Sequence, residues 1–190
     1  MANLQIGLEE IPYQLTRSED YPFLKIYLDD LNGIYVSAPV RKTQQEIEGF
    51  LMKKKQWIDQ KWKKLHNDLY KQTSPEEKTI MYLGRNYKVI SYATEEPAAS
   101  LLFNKGKFIF TYPSHYSTKD QETAFLQQEE NWLKNRAEQK LKELTAISCE
   151  DNYRLGYKDK AAIYLNWRLI KRNKNQIQTI IDDLRNEKMY

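Results

Sequence analysis

Short apolar runs separated by glycine-containing turns dominate the first half of the chain. Residues 11–37 contain one such pair of runs with a turn at Asn32-Gly33, a dipeptide that favours the positive φ values of a tight hairpin. The segments 80–90 and 101–112 repeat the arrangement, and Pro113 ends the last run because proline donates no ladder hydrogen bond. The pattern therefore predicts three antiparallel β-hairpins.

Apolar residues at helical spacing follow two of these hairpins. A capping box at Thr43 and Glu46 predicts a helix that runs to about Tyr70, and a second box at Thr118 and Gln121 predicts a helix to about Leu144. The stripe positions are Ile47, Phe50, Leu51, Trp57, Ile58, Lys61 and Leu65 in the first helix, and Phe125, Leu126, Trp132, Leu133, Ala137, Leu141 and Leu144 in the second.

The segments 30–58 and 103–133 have the same order of features. Each contains a turn with glycine, an apolar strand, a proline, a short loop and a helix. The residues that recur at identical spacing are Phe50, Leu51 and Trp57 in the first segment, and Phe125, Leu126 and Trp132 in the second. Either an internal duplication or independent use of a common hairpin-to-helix architecture explains the match.

The C-terminal part adds two strands, predicted at 153–158 and 161–166, and a helix over 175–187. That helix has an apolar face of Ile177, Ile180, Ile181 and Leu184. The predicted fold class is α+β, with antiparallel β-hairpins packed on two long helices. Residues 72–77 form a polar linker. The predicted units within one compact chain are 1–72, 79–147 and 148–190.

Composition restricts the classes of function. Cys149 is the only cysteine, which excludes an intramolecular disulfide and a cysteine-based zinc knuckle and fits a reducing compartment. Residues 1–10 lack the pattern of a signal peptide, and no apolar run approaches the roughly 18 to 20 residues that cross a bilayer. We therefore expect a cytoplasmic protein without a membrane partner. The net charge of +4 permits nucleic-acid binding without requiring it.

Two basic clusters are candidate contacts for nucleic acid or a protein partner. The first lies on the helix after Thr43, where Trp62 stands among lysines, and a solvated helix face is the competing interpretation. The second lies just before the C-terminal helix. The candidate residues are Lys53, Lys54, Lys61 and Lys64 in the first cluster, and Trp167, Arg168, Lys171 and Arg172 in the second, with Lys174 beside them.

The most specific motif is the run Leu165–Ile170, with the sequence LNWRLI. It resembles a segment of the YgjP-like metallopeptidases, relatives of the SprT-like proteases, and GIYVSAP, YLGRNYKV and GKFIFTYP occur upstream in the family's order. The resemblance implies a C-terminal zincin-like unit in which H-E-L-x-H follows about a dozen residues later. In that motif two histidines bind zinc and the glutamate activates water.

This chain departs from the family's pattern at the metal site. Where H-E-L-x-H should stand it reads Asp182-Asp183-Leu184-Arg185-Asn186, and where the family has W-G-S-C-S it reads Leu155–Asp159 with Gly156 alone in agreement. The third family histidine would fall after Tyr190. Asp182 and Asp183 are adjacent and therefore point about 100° apart on a helix. Weak binding of a hard cation is one interpretation of this pair, and the favoured interpretation is two solvent-facing carboxylates. His66 and His115 lack ligand spacing, and we expect both at the surface.

The sequence thus predicts a zincin remnant with no metal and no cofactor. The implied function is that of a non-catalytic metallopeptidase-like protein that binds DNA or a DNA-associated protein, and the ligand rests on kinship with the SprT-like proteases. A metal-dependent hydrolase with noncanonical ligands and a structural subunit of a complex are the alternatives. An open aromatic cleft beside Trp167 and Arg168 would favour binding, whereas a closed core there would favour a structural role.

Overall fold

The computed structural model describes residues 2–6, 9–70, 78–160 and 162–186. The predicted linker at 72–77 lies outside this part of the chain. The strands are β1 Ala2–Ile6, β2 Glu9–Ser18, β3 Lys25–Asp29, β4 Gly33–Pro39, β5 Thr79–Tyr82, β6 Arg85–Thr94, β7 Ser100–Asn104, β8 Lys107–Pro113, β9 Ile147–Cys149, β10 Gly156–Lys158 and β11 Ile163–Asn166. The α-helices are α1 Gln44–Leu65, α2 Asn67–Tyr70, α3 Thr118–Glu143 and α4 Lys174–Asn186, and a 3₁₀ segment spans Trp167–Lys171.

The predicted α+β class is confirmed, and all three predicted hairpins form. The first sheet has the order β1-β2-β4-β3 and the second the order β5-β6-β8-β7. In both, the outer pairs are antiparallel and the central pair is parallel, which local patterns do not predict. Each parallel register ends on a proline, Ser18 opposite Pro39 and Thr94 opposite Pro113. The similarity of the two segments thus extends to a shared topology.

Both long helices begin at capping boxes. Thr43 and Glu46 exchange side-chain and backbone hydrogen bonds of 3.2 and 2.8 Å, as predicted. The capping box of α3 lies one residue earlier than the predicted pair of Thr118 and Gln121. Ser117 is the N-cap, and Asp120 is its partner. The Asp120 N–H, a free donor of the first helical turn, donates to Ser117 Oγ at 3.3 Å, and the Ser117 N–H donates to the Asp120 carboxylate at 3.1 Å.

The buried stripe of α1 differs from the prediction. The buried residues are Ile47, Leu51, Ile58 and Trp62, whereas Trp57 is 44% exposed. The helix ends at Leu65 rather than near Tyr70, because the backbone of His66 leaves the helical region, and α2 follows as one short turn. Leu65 and, on α3, Leu126 are also exposed. None of the described helices is long and apolar enough to cross a membrane.

The C-terminal unit is a three-stranded sheet in the order β10-β11-β9, covered by α4. The four predicted apolar residues of α4 are all buried, and Asp182, Arg185 and Asn186 are exposed. Asn166 at the end of β11 is fully buried. Its Nδ2 donates to the carbonyl oxygens of Asp151 and Arg154, and its Oδ1 accepts from Arg168 N at 3.0 Å. This amide fixes the loop before β10 to the start of the 3₁₀ segment.

Backbone hydrogen bonds join the C-terminal unit to a hairpin turn of each sheet. Leu155 N donates to Leu31 O at 3.1 Å in the β3–β4 turn. In the β5–β6 turn, Leu83 N and Gly84 N donate to the carbonyls of Ile170 and Lys171, at 2.8 and 2.9 Å. The three units therefore share one hydrogen-bonded junction rather than packing through side chains alone.

The first of these turns can be tested at its glycine. Gly33 has φ +83°, and a Cβ there would collide with the Tyr153 carbonyl oxygen, whereas Gly106 has φ +77° and open space around it. Gly106→Ala should cost about 1 kcal/mol of unfolding free energy, from backbone strain alone. Gly33→Ala should cost clearly more, measured by urea denaturation. Equal losses for the two variants would show that the close approach to Tyr153 contributes nothing.

Candidate functional site

The exposed lysines of α1 lie on one side of that helix. At about 100° per residue, Lys53, Lys54, Lys61 and Lys64 fall within a sector of roughly 100°, with Trp57 in its middle. The four lysines are exposed, and none makes an ion pair with another described residue. The sector runs about 16 Å along the helix axis. We call these five residues the lysine–tryptophan face.

The two tryptophans of α1 exchange the roles that sequence reasoning gave them. Trp62, expected among the lysines, is 1% exposed, donates from Nε1 to the Tyr70 hydroxyl at 3.1 Å and contacts the His66 ring. Trp57, expected in the core, is exposed between Lys53 and Lys61. The signal that distinguishes them is the helical phase, since Trp62 and not Trp57 continues the stripe of Leu51 and Ile58.

Arg168 in the second basic cluster is held by contacts within the chain. Its guanidinium lies 4.4 Å from the ring centre of Trp167 and 5.3 Å from that of Tyr70. Its Nη2 is 3.6 Å from a carboxylate oxygen of Glu150, and its Nη1 is buried without a hydrogen-bond partner among the described residues. Trp167 itself is only 5% exposed.

Lys171 and Arg172 join the 3₁₀ segment to α2. Lys171 Nζ donates to the Leu69 carbonyl at 2.9 Å, and burial lowers the pKa of this amine. Arg172 holds both carboxylate oxygens of Asp68, at 2.7 and 3.2 Å. Both cationic groups already bind acceptors within the chain, Lys171 a backbone carbonyl and Arg172 a carboxylate. The lysine–tryptophan face therefore offers more positive charge to a ligand than this cluster does.

Two pockets flank Trp167 and Arg168. A groove of about 400 Å³ between α3 and β9 is lined by Trp167, Lys134 and Cys149, and a pocket of about 350 Å³ beside α1 is lined by Arg168 and Tyr70. The region is therefore partly open rather than a closed core. Cys149 is a poor nucleophile there, because burial raises the pKa of its thiol to about 12 and leaves it protonated.

The positions that align with the zinc motif of the family, Asp182, Asp183 and Asn186, lie on the exposed side of α4. The Asp182 carboxylate accepts from Gln178 Nε2 at 2.9 Å and lies 3.4 Å from Arg185 Nη1. Asp183 and Asn186 are exposed beside it. Nowhere in the described part of the chain do three histidine, cysteine, aspartate or glutamate side chains come together as a metal site would need.

His66 is buried, and the expectation that it lies at the surface was wrong. It is 3% exposed and packs edge-on against Trp62, with the ring centres 4.2 Å apart. Its Nδ1 is 3.5 Å from Arg172 Nη2. Burial and the Arg172 charge lower the pKa of the imidazole, so His66 is neutral at pH 7. His115 is exposed in the loop before α3, as expected.

A family model for the YgjP-like metallopeptidase domain matches residues 23–158, which is most of the chain. The chain belongs to the YgjP-like family. The matched range covers the β3–β4 hairpin with α1, the whole second unit and the start of the C-terminal sheet. It ends before the 3₁₀ segment and α4, so it does not include Asp182, Asp183 or Asn186. No curated protein and no solved structure matched this YgjP-like chain.

Burial of His66 should make stability depend on pH. The pKa of the folded-state imidazole lies below the value of about 6.5 for an unfolded chain, so protons bind the unfolded state first. The unfolding free energy should therefore fall as pH decreases from 7.5 to 5.5, by at most about 1.4 kcal/mol per pH unit. Denaturation midpoints should show a smaller fall for His66→Gln, and His115→Gln should behave as wild type. An unchanged pH dependence in His66→Gln would contradict this assignment.

Proposed function

We propose that this YgjP-like protein acts by binding rather than by proteolysis, and that its ligand is single-stranded nucleic acid. The observation that carries the proposal is the exposed Trp57 within the row of Lys53, Lys61 and Lys64 on α1. Proteins that bind single strands combine positive charge along the backbone with aromatic rings on which bases stack. The lysine–tryptophan face supplies both on one rigid helix.

The charge of this face suits a phosphate backbone. Its lysines are not neutralised by carboxylates of the described residues, so their counterions can be exchanged for phosphates, which drives binding at moderate salt. Trp57 stands one helical turn from Lys53 and one from Lys61, so a base stacked on the indole leaves its phosphates within reach of both ammonium groups.

A role in binding also agrees with the residues of α4. A catalytic zinc site needs three protein ligands and an open fourth position. In this chain Asp182 and Asn186 share a helical face, but an amide is a weak zinc ligand and the Asp182 carboxylate already accepts from Gln178. The α4 helix is instead held by its buried apolar face, which needs no metal to dock it.

The metal part of the proposal predicts the zinc content. Protein purified without chelator and dialysed should hold far less than one zinc per chain by elemental analysis, and EDTA should leave its melting temperature unchanged. Asp182→Ala and Asp183→Ala should likewise leave zinc content and stability unchanged, because both carboxylates face solvent. About one zinc per chain, lost in these variants, would replace the proposal by a hydrolase with noncanonical ligands.

The nucleic-acid part predicts salt-dependent binding. Affinity for an oligothymidylate, followed by fluorescence anisotropy, should fall with a log–log salt slope of about −0.7 per phosphate contacted, hence near −3 if all four lysines bind. Trp57→Ala should weaken binding roughly tenfold through lost stacking. Replacing the four lysines of the lysine–tryptophan face by glutamate should abolish it.

The matched control carries the same change of charge elsewhere. Glutamate at the exposed Lys88, Lys105, Lys107 and Lys119 should reduce affinity only modestly, through net charge. Absence of binding at about 50 mM salt, or equal losses in the two quadruple variants, would remove nucleic acid as the ligand. A protein captured through the same face, and not by the four-glutamate variant, would then identify the face as a protein-binding site.

A further inference from the structure

A pocket of about 350 Å³ lies between α1, the loop before β10 and the 3₁₀ segment. Its basic groups are Lys55, Lys63 and Arg168, and its single acidic group is Asp59. The rings of Tyr70 and Tyr153 form part of its wall. Neither the family match nor the lysine–tryptophan face accounts for this pocket, which mixes cations with aromatic surface.

Arg168 brings a buried donor to the pocket. The Nη1 atom of its guanidinium is buried without a hydrogen-bond partner among the described residues. A buried, unpaired donor is costly, so a ligand acceptor that reached Nη1 would remove this cost. Trp167 and Tyr70 lie against the guanidinium, and Glu150 contacts Nη2, so the group is fixed before any ligand arrives.

The acid in the pocket is already neutralised. Lys55 Nζ lies 2.9 Å from Asp59 Oδ2, and the Tyr153 hydroxyl donates to Asp59 Oδ1 at 2.6 Å. Lys63 is exposed at the mouth and forms no ion pair with another residue that the structure describes. Glu150 is shared between Arg168 and Lys134, so Arg168 and Lys63 together leave between one and two positive charges for a ligand, which suits a phosphate monoester near neutral pH.

We infer that this pocket binds a phosphate monoester, with Arg168 and Lys63 contacting the phosphate oxygens and Tyr70 contacting the body of the ligand. Guanidinium and ammonium groups bind phosphate by charge-assisted hydrogen bonds, and only Nη2 of the Arg168 guanidinium has a carboxylate partner among the described residues. The monoester comes either from a small phosphorylated molecule or from the phosphorylated end of a nucleic-acid strand.

The pocket is distinct from the lysine–tryptophan face. Lys55, Asp59 and Lys63 are spaced four residues apart and form a row of their own. At about 100° per residue this row lies on roughly the opposite flank of α1 from Trp57. The two sites can therefore fail or succeed independently, and adjacent lysines of one helix, Lys63 and Lys64, belong to different sites.

The test uses phenyl phosphate as the probe, with benzoate as a singly charged analogue, in calorimetric titrations of the full chain. Phenyl phosphate should bind saturably with a dissociation constant of about 1 mM or tighter, and benzoate at least about tenfold more weakly. Lys63→Gln should weaken phenyl phosphate binding about tenfold, and Lys64→Gln should leave it unchanged. Arg168→Gln should abolish it, with the fold checked by circular dichroism.

A second arm separates the two sources of the monoester. If a strand end is the ligand, a 5′-phosphorylated oligothymidylate should bind more tightly than its 5′-hydroxyl counterpart, and Lys63→Gln should remove the difference. If a small molecule is the ligand, the two oligonucleotides should bind equally while phenyl phosphate still saturates. Failure of phenyl phosphate to saturate together with equal oligonucleotide affinities would overturn the inference, as would equal effects of Lys63→Gln and Lys64→Gln. Phenyl phosphate binding that survives the four-lysine variant would show that the pocket does not depend on the lysine–tryptophan face.

Discussion

The fully buried amide of Asn166 is the interaction on which the C-terminal half of the structure depends. It binds the carbonyls of Asp151 and Arg154 on one side and the backbone N–H of Arg168 on the other. Because a buried amide without partners would be costly, the loop before β10 and the start of the 3₁₀ segment are held in one arrangement. That arrangement places Tyr153 and Arg168 on the same pocket. It also positions the Leu155 N–H and the carbonyls of Ile170 and Lys171, which bind the two hairpin turns. The asparagine of the LNWRLI motif thus has a structural reason that is independent of metal chemistry.

The two hairpin–helix units use one topology for different purposes. In the second unit Trp132 packs against Tyr82, Phe103 and Phe108, with ring centres 4.7 to 5.8 Å apart. Trp57, which aligns with it in sequence, is exposed on α1 between lysines. The tryptophan at the equivalent position therefore packs against the core in the second hairpin–helix unit and is exposed to solvent in the first. This difference is why the first helix, and not the second, carries the proposed interface.

Local patterns predicted most of the secondary structure. Some features depend only on residues close together in sequence, so local patterns predict them. These are the hairpin with its turn at Asn32-Gly33, the helix cap at Thr43 and the apolar face of α4. The parallel pairing of β2 with β4 and the burial of His66 could not be predicted in this way, because they depend on partners far along the chain. Of the candidate site, the sequence predicts the exposed lysines of α1, and its helical phase also contains the signal for the exposure of Trp57, which the predicted apolar stripe missed. The pocket at Arg168 required the three-dimensional arrangement, because its residues come from distant parts of the chain.

The long-range hydrogen bonds of the junction have a consequence for how the protein is made. Lys171 meets Leu69, and Arg172 meets Asp68, across more than a hundred positions of sequence. Contacts between residues so far apart in sequence form late in folding, because the entropy cost of closing a long loop comes before the contact can stabilise the chain. During synthesis the hairpin turns at Leu31 and Leu83 are made well before residues 155–171, which they bind. Both turns therefore lack their partners while the intervening residues are translated, and the junction can close only after both four-stranded sheets have been made.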